Sequence, residues 1–141
     1  SVDSDDNIKL IALENICTLQ DDFPDVMEDE AALLDILRTL SSSDLAVRRK
    51  ALGVVIRGVS GSRGEDVLAQ LKRELAKLAT TDNSQNAYRS LLLDSVNDLA
   101  GRFNDLLSSS LSIFMGYLTC GCDHYSDQVT LFVKYANIMA V

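Results

Sequence analysis

The sequence predicts an all-α fold, and three observations carry that expectation. Apolar residues return at spacings of three and four along most of the chain, the period of a helix buried on one face. The chain has one proline in 141 residues and no tryptophan, with Ala and Leu abundant, a composition that suits helices. A short pattern also recurs about every forty residues. It reads Asp5-x-x-Ile8-Lys9-x-x-Ala12-Leu13 and returns 39 residues later as Asp44-x-x-Val47-Arg48-x-x-Ala51-Leu52. A looser copy, Gln85-x-x-Tyr88-Arg89-x-x-Leu92, follows after a further 41, and a faint fourth, Ser126-x-x-Val129-x-x-x-Val133, after another 41.

A helical repeat near that length is the signature of HEAT or armadillo stacks. The expected architecture is therefore a HEAT/armadillo-like α-solenoid of about three and a half helical pairs. All of 1–141 would form a single solenoid segment of a longer trunk domain, because neither end carries an obvious polar capping repeat.

Taken in order, Asp5 and Asp6 are expected to cap a first helix over about Asn7 to Gln20, with Ile8, Ala12, Ile16 and Leu19 on its core face. Asp21, Asp22 and Pro24 break it. Pro24 can open the next helix, since a first turn needs no N–H there. That helix would run to about Leu40 with Leu33, Leu37 and Leu40 inward; its acidic start and Arg38 near its end suit the helix dipole. Ser43 or Asp44 caps a third helix carrying Val47, Ala51, Val55 and Val59, which Gly58, Gly61 and Gly64 bring to an end. A fourth carries Leu68, Leu71, Leu75 and Leu78. After a polar loop over Thr80 to Asn86, a fifth carries Tyr88, Leu91, Leu92, Val96 and Leu99. Asn104 and Asp105 cap a sixth with Leu107, Leu111, Phe114 and Leu118. A turn over Cys120 to Tyr125 leads to a last helix, Ser126 to Ala140. Short connections fit antiparallel neighbours, giving three pairs and an unpaired final helix.

Each residue of the repeat signature has a physical task. Asp5 and Asp44 cap the incoming helix, Ile8, Val47 and Tyr88 enter the core, and Ala12 and Ala51 let helices approach closely. Lys9, Arg48 and Arg89 point to the seam between neighbouring repeats, where their donors can meet the turn carboxylate or amide of the adjacent copy as a ladder. An exposed ion pair there contributes only ~0–1 kcal/mol, so apolar packing supplies most of the stability. With Gln85 and Leu92 in place of Asp and Ala, the third copy is expected to pack at a different spacing or to bend the stack.

Composition narrows the function classes. A net charge of −8 argues against nucleic-acid binding and against a broad grip on anionic lipid. There is no apolar run long enough to span a membrane and no visible signal peptide. Three unevenly placed cysteines make no disulfide framework, and a reducing, intracellular compartment is the simplest reading. Cys120-x-Cys122-x-His124 is the one cluster with metal-like spacing, but zinc wants four ligands and no second pair lies nearby. GVSGSRGED has the glycines of a phosphate loop without the Lys-Ser or the preceding strand, so helix termination, with Arg63 on the surface, accounts for it. The only histidine is His124, and the carboxylates at Asp21, Asp22, Glu28, Asp29 and Glu30 read as a solvated loop and first turn. No catalytic, cofactor or metal site is assigned.

Three blocks in order, SDDNIKLIALENICTL, ALLDILRTLSSSDLAVRRKAL and YRSLLLDSVNDLAGRF, resemble the helical trunk of the coatomer beta subunit family of the COPI vesicle coat. The resemblance runs from about Ser4 to Phe103, is strongest over Leu37 to Leu52, and weakens after Asp105, where TCGCDHYSDQV departs from it. It implies a non-enzymatic scaffold that pairs with a delta subunit and assembles with gamma and zeta. It also implies recruitment by an Arf-type GTPase to Golgi membranes, peripheral attachment through the assembled coat, and retrograde transport to the endoplasmic reticulum. No GTPase contact or cargo pocket carries over to a numbered residue. The alternative is a generic HEAT adaptor, clathrin-adaptor-like or importin-like, holding linear peptides in a concave groove; the lack of tryptophan counts against it.

Overall fold

The computed structural model describes residues 2–78 and 83–119, and every regular element among them is helical. There are six α-helices: α1 (Val2–Asp22), α2 (Glu30–Arg38), α3 (Leu45–Gly58), α4 (Gly64–Lys77), α5 (Asn86–Arg102) and α6 (Leu107–Thr119). Short 3-10 turns at Pro24–Glu28, Thr39–Ser41, Gly61–Arg63, Asn83–Gln85 and Asn104–Leu106 fill most of the connections. The expected last helix, the fourth copy of the pattern and the Cys120–His124 cluster lie outside the described residues.

Contacts gather the chain into two units, Ser1–Arg63 and Gly64–Val141. In the first, α3 packs against both α1 and α2, and the turn at Pro24–Glu28 lies against all three. Its core joins Leu13 of α1, Leu33, Ile36, Leu37 and Leu40, and the α3 face Val47, Ala51, Leu52, Val54 and Val55. The partner that expectation gave α1 was α2, but α1 makes its main packing with α3, one repeat further on. In the second unit α5 packs against α4 and α6. Its core is built from Val67, Leu68, Leu71 and Leu75, from Tyr88, Leu92, Leu93, Val96 and Leu99, and from Leu106 and Phe114.

Local chemistry sets the helix boundaries. Asp44 caps α3, its carboxylate accepting from the N–H groups of Ala46 (2.7 Å) and Val47 (3.2 Å). Such a cap contributes ~1 kcal/mol by satisfying donors that a helix start leaves orphaned. Asp29 does the same for α2 through Ala31 N–H (3.0 Å). Its extended backbone splits the expected helix over Pro24 to Leu40 into a proline-led 3-10 turn and a shorter α-helix. Gly64 opens α4 against Phe103 and Leu106; a Cβ there would lie 2.9 Å from Leu106 Cδ1, so a larger residue would require the Leu106 side chain to move.

Three further expectations are corrected. Asp5 and Asp6 are not caps, because α1 already starts at Val2 and carries them inside the helix. The core face of α1 is Asp6, Leu13 and Gln20, a spacing of seven that follows α3, whereas Ile8 is 65% exposed and Leu19 46%. Ala12 is exposed on that same outer line. In α6 the inward residues are Ser110, Ile113 and Phe114; Leu111 lies at the surface, and Asn104–Asp105 sit in the preceding 3-10 turn.

Candidate functional site

The repeat signature converges on polar clusters at the helix starts. In the first unit the Ser42 hydroxyl donates to Asp6 Oδ1 (2.8 Å) across 36 residues, and both side chains are buried. The same hydroxyl accepts from Asp44 N–H (3.1 Å), and Arg48 Nε donates to the Ser42 carbonyl (2.6 Å). Lys9 reaches Asp5 at 2.9 Å and Asp6 at 3.7 Å. The hydrogen bond that Lys9 donates to Asp5 leads the causes that hold its ammonium above its ordinary pKa, with the charges of Asp5 and Asp6 adding to it against some loss of hydration. Among the described residues the bond from Ser42 to Asp6 links the first two copies. Arg48, expected at the seam, braces the carbonyl of Ser42 in its own turn, and Lys9 holds Asp5 and Asp6.

The far end of the α1–α3 pair is tied by two more groups. Gln20 Nε2 donates to the Val54 carbonyl (2.8 Å) in a buried setting. Arg57 pairs with Asp21 and lies 3.4 Å from the Cys17 sulfur. Arg63, expected on the surface, reaches Glu30 at 3.5 Å.

In the second unit Gln85 stands at the N-cap of α5 and no side-chain bond caps the helix there. Tyr88 and Arg89 are both buried, Arg89 donating to Asn86 Oδ1 (2.8 Å). Tyr88 donates to Glu74 Oε2 (3.0 Å), while Lys77 (2.6 Å) and Gln70 (3.3 Å) donate to Glu74 Oε1. The Glu74 carboxylate is only 7% exposed, and these three donors replace its lost water. Sequence reasoning missed Ser42, Gln20 and Glu74. The available signal was a polar residue set at a core position of a helix, as Glu74 is between Leu71 and Leu75.

On the outer side of α5, Asp98 is pushed above the usual carboxylate range, first by loss of hydration and then by Asp94 one turn earlier. A raised folded-state pKa costs stability above that pKa, and the cost disappears below the unfolded value. Asp98→Asn is therefore expected to raise stability modestly at neutral pH and to leave it unchanged in acid below the carboxylate range, read from chemical melts across pH.

The hydroxyl–carboxylate pairs Ser42–Asp6 and Tyr88–Glu74 are buried within the helix packing, and no group of three or more His, Cys, Asp or Glu among the described residues is arranged to hold a metal. Among the described residues no helix is long and apolar enough to cross a membrane. What the arrangement does is join successive helices through hydroxyl, carboxylate and amide contacts over an apolar core.

Comparison with known proteins bears on where such a segment belongs. The chain is 32% identical to coatomer subunit beta of Candida glabrata over 93% of its length, and 32% identical to coatomer subunit beta-1 of Oryza sativa over 95%. The chain is homologous to coatomer subunit beta. Coatomer subunit beta of Sus scrofa is 29% identical over 95% of the chain. The match spans 14% of the length of each of these relatives. It also continues past the Asp105 limit of the resemblance read from the sequence, since so little of the chain is left outside it. No protein-family profile matches the chain, and no solved structure does.

Proposed function

We propose that this chain is a non-enzymatic scaffold segment of the COPI coat, one continuous stretch of HEAT/armadillo-like solenoid within a coatomer beta trunk. The observation that carries the reading is coatomer beta homology over 93–95% of the chain. The 39-residue register of the first two copies supports the solenoid, as does the packing of α3 on its counterpart α1. Asp5, Lys9, Asp44, Val47, Arg48, Ala51, Tyr88 and Arg89 then act as repeat-building residues, and Ile8 and Ala12 as the part of that pattern left for a further repeat to cover. The scaffold works through protein–protein contacts with the other coat subunits, delta, gamma and zeta, and is brought to Golgi membranes by an Arf-type GTPase. It would serve vesicle budding and retrograde transport to the endoplasmic reticulum.

The test is a pull-down from cytosol with this segment in its full trunk. Recovery of delta, gamma and zeta coatomer subunits is the expected result; recovery of nuclear-import cargo alone would overturn the coat reading in favour of an importin-like peptide adaptor.

A further inference from the structure

Between α1 and α3, within the first unit, lies a groove of ≈ 350 Å³ with a floor of Leu10, Ala46, Gly53 and Val54. Arg49 and Lys50 stand on its α3 side, and none of the described residues that line it is a carboxylate. This is distinctive in a chain with 21 acidic and 13 basic residues. Other cations of the unit are engaged: Lys9 with Asp5, Arg38 with Asp35, Arg57 with Asp21 and Arg63 with Glu30. Gly53 is the second unusual feature. It sits in the middle of α3, exposed, where glycine costs ~0.5–1 kcal/mol relative to alanine. A Cβ built there would meet nothing within 4 Å, so packing does not demand the glycine. What the missing side chain does is keep the groove open.

We propose that the α1–α3 groove docks a short acidic peptide segment of a partner protein, one bulky apolar side chain entering over Gly53 while its flanking carboxylates meet Arg49 and Lys50. The proposal goes beyond the coat reading and does not depend on it. Charge complementarity selects the occupant: a basic or neutral apolar peptide would leave both cations unanswered. An acidic one meets repulsion over much of the remaining surface and attraction at this groove. Such complementarity acts mainly on specificity and encounter rate, with the apolar anchor holding the complex.

The experiment uses the 141-residue chain and a fluorescent peptide with a Leu-Phe pair flanked on both sides by glutamates, read by anisotropy. Binding that weakens with added salt is expected, about tenfold weaker in Arg49→Glu/Lys50→Glu, since two close charge pairs become repulsive. Gly53→Leu, which has the space to fold, is expected to abolish binding by filling the floor, and its melting temperature checks the fold. Replacing the peptide's glutamates by lysines, or Leu-Phe by Ser-Ser, is expected to lose binding. Equal binding by the lysine peptide, or unchanged binding in both protein variants, would overturn the proposal. So would a failure of the acidic peptide to bind while anionic vesicles bind through Arg49 and Lys50.

Discussion

Leu52→Ala is expected to lower the unfolding free energy by about 2–5 kcal/mol, and Ile8→Ala by less than about 0.5 kcal/mol, in urea melts of this chain. Leu52 is 1% exposed in the packing of α3 on α1 and α2, so truncation removes transfer energy and leaves a cavity that close-packed neighbours fill only in part. Ile8 is 65% exposed and leaves no cavity. The contrast is informative because the 39-residue shift places Ile8 on Val47, which is 0% exposed. One sequence position thus has two environments. In a longer chain carrying further repeats on that side, the solenoid reading expects the cost of Ile8→Ala to climb into the range of a buried isoleucine. An equal, near-zero cost in both contexts would count against continuation of the stack over α1, and a large cost in the isolated chain would contradict the exposure of Ile8.

The same pair explains how much of the fold was legible. Spacing found all six described helices, and local rules placed the Asp44 cap and the inward faces of α3, α4 and α5, because those signals are carried within one turn or one helix. The face of α1 was misread for a physical reason. Its apolar line, Ile8, Ala12, Ile16 and Leu19, has the period of a buried stripe, but periodicity says only that a stripe exists, not which neighbour is present to cover it. The line that meets α3 carries Asp6 and Gln20, whose polarity disguises burial until the Ser42 hydroxyl is seen to donate to Asp6 and the Gln20 amide N–H to the Val54 carbonyl. Likewise Asp29 looked like one more acidic residue in a helix start, and its capping bond to Ala31, which moves that start, depends on a backbone angle that composition does not encode. The seam was anticipated as a contact of the repeat cations, and the Ser42 hydroxyl, two residues before Asp44, adds a bond to Asp6 that the pattern did not signal. Family likeness was legible in the order of three blocks, while the surface chemistry of the α1–α3 groove required the two helices to be set side by side.

Tyr88→Phe is expected to cost about 1.5–3 kcal/mol, the range for a hydrogen bond to a charged group, since the buried Glu74 carboxylate loses one of its donors. Glu74→Gln should cost less, because an amide oxygen still accepts from Tyr88 and needs less compensation when buried. Glu74→Leu alone takes away the carboxylate that accepts from the Tyr88 hydroxyl and should cost about 1–3 kcal/mol. The decisive variant is the double one. Replacing both partners removes the buried polar groups together, so Glu74→Leu with Tyr88→Phe should be clearly less destabilised than the sum of the single changes, a coupling of about 0.5–3 kcal/mol in a double-mutant cycle. Additive effects would show that Tyr88 and Glu74 act independently. Strong coupling would make the α4–α5 contact a polar clasp set inside an apolar interface, whose geometry fixes how the two helices meet: Lys77 and Gln70 hold one oxygen of Glu74 from its own helix, which leaves the other aimed at α5.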